Sequence, residues 1–388
     1  MKLFFMTIKP PLLRTGASVR NYYILKFMRS KNTTLFCKDS DESNGVTRTW
    51  KNLNKIYLFK VYKKTILNKL FYYFQFKIPY LEYNKFNNID LTKLKTDKGI
   101  IWFAELESYF LLKQNLDKLN YYKILDAHNV DYIRLKSEMN TKSFAYKMLS
   151  QPFVIRLKYE EIKAIKKMDH IIVCSDVDKK YFAKYIPENK ITVIPNGVDC
   201  NNFKPTKETN SNTVLFMGKL NYPPNLDGIV YYIEKIHPIL KQKLKNIRLN
   251  ILGLNPPKEL IKLANKDRSI VIKGFVKDVR SELKKAKICI CPVRYGSGTR
   301  LKILEYMAMN RPVVSTAKGA EGLRVTDDKD ILLADSPGDF ANSIIKLVDD
   351  TSLYAKIATN ARKLVEKEYD WIKIAKIINL LFIKEKLL

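Results

Sequence analysis

Short apolar runs alternate along this chain with longer stretches whose apolar positions recur every three or four residues. Residues 3–7, 33–37, 99–104, 123–126 and 169–174 read as strands, and so does the run ITVIP that follows them. The pattern restarts with 214–217, 247–252, 270–272, 288–291, the run RPVVST and 331–334. Helical spacing fills the intervals. It covers 19–28, 151–168, 225–244 and 280–285, and it begins again near Pro257, Leu301, Ser336, Thr351 and Trp371. Ser18 is placed to cap the first helix, and Ser175, with Asp178 three positions on, to cap the helix after 169–174. Residues 39–50 are polar and read as a loop. Strands and helices that alternate with one interruption predict two doubly wound, parallel α/β domains.

Length and composition agree. A chain of 388 residues that is 46% hydrophobic suits two or three domains with real cores and excludes wholesale disorder. Lys and Arg number 70 against 39 acidic residues, a formal charge of +31, which favours anionic partners such as nucleotides or phospholipid headgroups. Five scattered cysteines, Cys37, Cys174, Cys200, Cys289 and Cys291, form no Cys-x-x-Cys pair and read as reduced, buried thiols of a cytoplasmic protein. The opening MKLFFMTIKPP has too short an apolar run for a signal peptide, and no stretch has the 18 uncharged apolar residues of a span.

Residues 51–80 stand apart. They hold seven lysines and no acid, interleaved with Tyr, Phe, Ile and Leu. The stretch suits docking on an anionic membrane surface, and equally an ordinary basic helix with one buried face.

The densest chemistry lies in CPVRYGSGTRLKILEYMAMNRPVVSTAKGAEGL, from Cys291 to Leu323. A strand ends, a turn carries Gly296, Ser297, Gly298 and Thr299, and a helix begins. Glycines let backbone approach a ligand, and the free amides and dipole of a helix start favour an anion. Arg300 and Lys302 add cations where a helix dipole disfavours them unless an anion is present. Glu305 is an acceptor able to take two sugar hydroxyls. The plain alternative is a strand–loop–helix unit with a solvated basic face. Gly218-Lys219 closes the first strand of the second half, and His128 follows the strand 123–126, at the sheet edge where ligands collect. Gly16, with Arg20 a turn further on, follows the first strand and reads as a close-approach glycine or a simple turn.

These motifs resemble nucleotide-sugar-dependent glycosyltransferases of family 4, in the subgroup reading GSGTRLKILE, PVVST and GAEGL. The resemblance runs from RTGASVR through DAHNVDY, IPNGVD and FMGKLNYPPN to GAEGL. It implies the GT-B fold: two Rossmann-like domains facing across a cleft. Residues 1–198 would form the acceptor-side domain and 199–369 the donor-binding domain, with a last helix, about 370–388, returning to the first. It implies transfer with retention of configuration from a nucleoside-diphosphate sugar, with no metal and no other cofactor. Glu305 would bind the donor ribose, and Gly218, Lys219, Ser297, Gly298, Thr299, Arg300 and Lys302 the rest of the donor. Gly16 would face the donor phosphate. His128 would act near the reacting centre, so His128 and Glu305 are the catalytic candidates. The sequence departs from the family where Ser297 replaces the first of two glutamates, and where NYPPN lacks a second basic residue.

The expected partners are a nucleotide-sugar and a glycan or lipid-linked acceptor, with an anionic membrane surface as a further candidate and no nucleic acid. The expected setting is the cytoplasm or the inner membrane face. Three other readings share parts of the pattern: a sugar-nucleotide epimerase, a catalytically silent nucleotide-sugar scaffold suggested by Ser297, and a nucleic-acid binder suggested by charge alone.

Overall fold

The computed structural model describes residues 2–13, 16–28, 32–59, 99–112, 116–118, 120–140, 143–385 and 387. It divides into two compact units: Met1–Pro195 with Ala375–Leu388, and Asn196–Ile374.

The first unit holds a seven-stranded sheet in the order β3-β2-β1-β4-β5-β6-β7. Its strands are β1 (Lys2–Thr7), β2 (Thr33–Lys38), β3 (Lys55–Phe59), β4 (Gly99–Phe103), β5 (Tyr122–Ala127), β6 (His170–Val173) and β7 (Ile191–Val193). Every pairing is parallel. Helices cover both faces of such a sheet, so its strands are apolar throughout rather than alternating, as FFM in β1 and GIIWF in β4 show. Residues from Ala375 onward belong to this unit. Phe382 stacks on Trp102 at 6.3 Å, and the Tyr122 hydroxyl donates to Glu385 at 2.6 Å.

The second unit holds six parallel strands in the order β10-β9-β8-β11-β12-β13. They are β8 (Thr213–Met217), β9 (Arg248–Leu252), β10 (Ile270–Gly274), β11 (Ile288–Cys291), β12 (Val313–Ser315) and β13 (Leu332–Leu333). Alternate residues serve opposite cores. Val214, Phe216, Ile288 and Ile290 join one cluster, while Leu215, Met217, Cys289 and Cys291 join the other. Cys289 and Cys291 thus share one face, as their spacing predicts. The crossing segment IPNGVD pairs with residues near Asp370: Val198 N–H donates to the Tyr369 carbonyl at 2.9 Å.

In both sheets the strand order reverses beside the first strand, between β1 and β4 and between β8 and β11. Loops leaving adjacent strands on either side of such a reversal diverge and leave a crevice at the carboxyl edge.

Several local expectations need correction. Ser43–Thr49 is a helix, not a loop. Among the described residues its buried anchors are Val46 and Trp50, whose indole N–H donates to the Pro11 carbonyl at 2.9 Å, too few to set up a periodicity. Lys55–Phe59 is a strand paired along β2, not the start of a basic helix. The rest of the lysine-rich stretch lies outside the described residues. Ser18 sits inside the helix Gly16–Met28 rather than before it. The helix expected from 151 begins at Phe144 and passes through Pro152. The helix expected over 225–244 starts at Pro223 and is divided by a wide turn, Tyr232–Ile236, just before Pro238. Ser175 caps its helix as expected, accepting from the Asp178 amide at 3.2 Å.

Candidate active site

The second unit brings most of the expected donor residues to its reversal point. The loop 292–300 leaves β11 and turns through Gly296 and Gly298, whose φ values of 104° and 82° are left-handed conformations that glycine adopts without strain. Arg300 closes the loop on itself. Its guanidinium donates to the Ser297 carbonyl at 2.7 Å and to the Tyr295 carbonyl at 3.3 Å. Thr299 Oγ1 accepts from the Asn196 side chain at 2.6 Å. Hydrogen bonds within the loop and to Asn196 therefore hold its shape.

Lys302 lies in the first turn of the helix Leu301–Ala308 and is partly buried, not solvated. Its ammonium stands 4.2 Å from the centre of the Phe216 ring and donates to Asn225 Oδ1 at 2.8 Å. Asn225 in turn donates to the Lys219 carbonyl at 3.0 Å. A Cβ on Gly218 would stand 2.8 Å from the Lys302 ammonium and 2.8 Å from Asn225 Nδ2. Gly218 thus leaves space that a cation and an amide occupy. Lys219 beside it is exposed.

Glu305 follows three residues after Lys302, on the same helix side. Its carboxylate makes no hydrogen bond or ion pair among the described residues. Burial pushes its pKa up to about 7, partly offset by Lys302. Burial also pulls Lys302 down to about 8. Ser297 Oγ and Arg300 Nε are buried without a hydrogen-bond partner among the described residues. Unpartnered buried polar atoms are costly, and here they gather on the loop that leads into the helix carrying Glu305. The arrangement can receive a ligand carrying both anionic oxygens and hydroxyls.

Asn225 and Asn196, which sequence reasoning missed, bond to candidate site residues. NYPPN stands out in the sequence for a missing basic residue, and an asparagine gives no periodic or charge signal.

In the first unit, His128 follows β5 and is buried. Its Nε2 lies 3.5 Å from Asp126 Oδ2, and neither ring nitrogen has a well-formed hydrogen bond among the described residues. Burial outweighs the Asp126 carboxylate and keeps the imidazole pKa below its usual value. The Arg20–Asp126 pair beneath it is fully buried, with contacts of 2.6 Å and 3.0 Å. Burial alone would raise Asp126, but Arg20 and His128 hold its carboxyl below the usual range. Arg20 also donates to the Ile194 carbonyl at 2.9 Å, tying the loop after β7 to the same network. The helix after His128, Asp131–Met139, has its amide end covered by Glu161, which accepts from Asp131 N–H at 2.7 Å. Arg20 therefore serves Asp126, two residues before His128 at the end of the same strand, rather than solvent.

Gly16 opens the helix Gly16–Met28 and is exposed. The loop ahead of it is held by Glu105, which sequence reasoning also missed. Glu105 accepts from Ile8 N–H at 3.1 Å, Lys9 N–H at 3.0 Å and the Thr7 hydroxyl at 3.0 Å. Its φ of 121° is rare for a residue with a side chain. Burial pushes its pKa up to about 8 against the pull of Lys9. Among the described residues, no group of three or more His, Cys, Asp or Glu is arranged to hold a metal.

Residues 211–350 match the family model described as Glycosyl transferases group 1, and residues 115–202 match that described as Glycosyltransferase Family 4. The chain is 28% identical over 279 residues to an uncharacterized 44.6 kDa protein in the cps region of Klebsiella pneumoniae, covering 69% of each. It is 25% identical over 253 residues to an uncharacterized glycosyltransferase of Methanocaldococcus jannaschii, covering 60% of this chain and 64% of that one. The structure is similar to Anabaena HepE in complex with UDP and glucose, with a TM-score of 0.72 and 16% identity over 99% of this chain and 100% of that one. A Staphylococcus aureus TarM variant in complex with UDP and alpha-GlcNAc-glycerol gives 0.72 and 15% over 98% and 100%. The comparisons support a glycosyltransferase with the GT-B fold. Both parallel sheets fit that fold.

Proposed function

We propose that this protein is a retaining family 4 glycosyltransferase that moves a sugar from a nucleoside-diphosphate sugar to a glycan or a lipid-linked acceptor. The observation that carries the reading is the group at the β8/β11 reversal. A lysine ammonium occupies the space over Gly218, and Glu305, three residues after that lysine, makes no hydrogen bond or ion pair among the described residues. Together they match a diphosphate and a ribose.

Lys302 and the exposed Lys219 neutralise the diphosphate, helped by free amides at the start of the helix Leu301–Ala308. Arg300 shapes the loop through its own carbonyls, which narrows the role expected for it. As the glycosidic bond breaks, its electron pair goes to the departing diphosphate. Fixed cations stabilise that charge in the transition state, the electrostatic effect that usually dominates. The acceptor oxygen attacks from the side of the leaving group and passes its proton to a diphosphate oxygen, so no protein nucleophile is needed. Glu305 anchors the ribose. His128, kept neutral by burial, orients the transferred sugar near its anomeric carbon. The reaction is expected to proceed in EDTA.

HepE and TarM were solved with UDP, so UDP-sugars are the first donors to test. The cps-region relative favours surface polysaccharide as the product. Ser297 in place of the family's first glutamate favours one second reading, a scaffold that binds donor without transferring it. The test is a panel of nucleotide-sugars screened for binding, then for nucleoside diphosphate release with lipid-linked and soluble glycan acceptors. Acceptor-dependent release is expected. Binding without release supports the scaffold, and conversion of donor without acceptor supports an epimerase. Absence of nucleotide-sugar binding overturns the proposal.

A further inference from the structure

The helix Phe144–Lys166 has two apolar sides. One is the ordinary core side: Ser150, Val154, Leu157, Ala164 and Ile165 are buried. The other faces water. Phe144 is 79% exposed, Met148 57%, Ile155 66% and Tyr159 57%. At about 100° per residue, these four fall within a stripe roughly 60° wide, on the side opposite the core. Tyr146 and Leu149 are also exposed on the leading turns. Scattered exposed apolar residues are normal, but a continuous stripe on one helix marks an interaction surface.

The charges on this helix are one-sided. Arg156, Lys163 and Lys166 are exposed, and Lys147 and Lys158 are partly so. The two acids are withdrawn: Glu160 is buried and paired with Arg156 at 2.8 Å, and Glu161 is buried against the amides of Asp131 and Tyr132. The outward face is therefore apolar and positive.

We infer that this face docks on an anionic lipid surface. Aromatic and aliphatic side chains enter the headgroup boundary while the long Lys and Arg stems keep their charges among the phosphates. A second copy of the chain is a poorer occupant, because it would set two positive faces against each other in a molecule of formal charge +31. The purpose of docking rests on the proposed lipid-linked acceptor. The docking itself does not, since it is measured without sugar. It places a membrane contact on a helix outside residues 51–80.

The experiment is co-sedimentation of the full chain with phosphatidylglycerol–phosphatidylcholine vesicles and with phosphatidylcholine vesicles, at low and high salt. The wild type is expected on the anionic vesicles. Phe144→Ser, Met148→Ser and Ile155→Ser combined remove only exposed groups, so folding is retained, and vesicle affinity is expected to fall at least about tenfold. Lys163→Gln with Lys166→Gln is expected to weaken binding at low salt more than at high salt. Nucleotide-sugar binding, measured in parallel, is expected to be equal in all forms. The inference is overturned if the wild type ignores anionic vesicles, or if the triple variant binds like the wild type. It is also overturned if the wild type is a dimer that the triple variant dissolves. A parallel variant with Gln at lysines 60, 63, 64 and 69 that alone loses binding would assign the contact to that stretch instead. Vesicle binding without nucleotide-sugar binding would leave the docking intact and sink the proposed function.

Discussion

The Lys302 ammonium stands 2.8 Å from where a Cβ on Gly218 would lie, and that space is open only because residue 218 has no side chain. Gly218→Ala is expected to push aside the flexible ends of Lys302 and Asn225 while leaving the strand β8 intact. Nucleoside diphosphate affinity should fall several-fold, with little change for the bare nucleoside. Isothermal titration of both ligands checks this, and equal losses would detach Lys302 from the phosphates.

The pH dependence of donor binding follows from two opposed shifts. Lys302, lowered to about 8, loses its charge as pH rises through that value, so diphosphate affinity should decline above it. Glu305, raised to about 7, gains its charge as pH rises through that value, improving it as an acceptor for ribose hydroxyls. Affinity should therefore peak between about 7 and about 8. In Lys302→Met the alkaline fall should vanish and overall affinity should drop. An unchanged alkaline limb would assign it to another group.

Glu305→Gln is expected to separate binding from stability. Losing a hydrogen bond from a charged group costs about 1.5–3 kcal/mol, more than tenfold in donor affinity. Its raised pKa means that the native state holds the proton more tightly than the unfolded chain. Stability from that proton is complete below the ordinary glutamate range and is lost as pH rises through about 7. The variant should accordingly melt higher than wild type at pH about 8.5, while binding donor less well. Thermal melts across pH decide the first half, and titration with nucleotide-sugar the second.

The Arg20–Asp126 pair should matter more to the first unit than any surface ion pair. Removing one partner of a buried pair strands the other charge, at a cost of about 3–5 kcal/mol. Asp126→Asn is expected to lower the melting temperature markedly, and a surface control in the same unit, Glu188→Gln at the Lys179–Glu188 pair, to change it little. Similar melting for both would mean that Arg20 finds other partners.

His128→Ala is expected to reduce sugar transfer far more than nucleoside diphosphate binding, because its proposed contact is with the transferred sugar. Steady-state rates beside diphosphate titrations check this. Unchanged turnover would leave His128 as packing over Asp126.

The sequence by itself determined the alternation of strands and helices, because strands buried on both faces are written as apolar runs and need no partner to be recognised. It determined the Gly-rich turn before Leu301 and the position of Lys302 and Glu305 on one helix side, since both follow from local spacing. It could not determine that Lys55–Phe59 is a strand or that Ser43–Thr49 is a helix. The first depends on pairing along β2, and the second on Val46 and on Trp50, whose indole reaches the Pro11 carbonyl in a distant loop. Nor did it separate Arg300, which folds back on its own loop, from Lys302, which crosses to Gly218 and Asn225. Two cations two residues apart look alike until packing decides which carbonyls and which cavity each can reach. The same holds for Glu105, Asp126 and Glu161. Their burial, and with it their perturbed proton affinities, exists only once strands far apart in the chain lie side by side in the sheet and exclude water from between their loops.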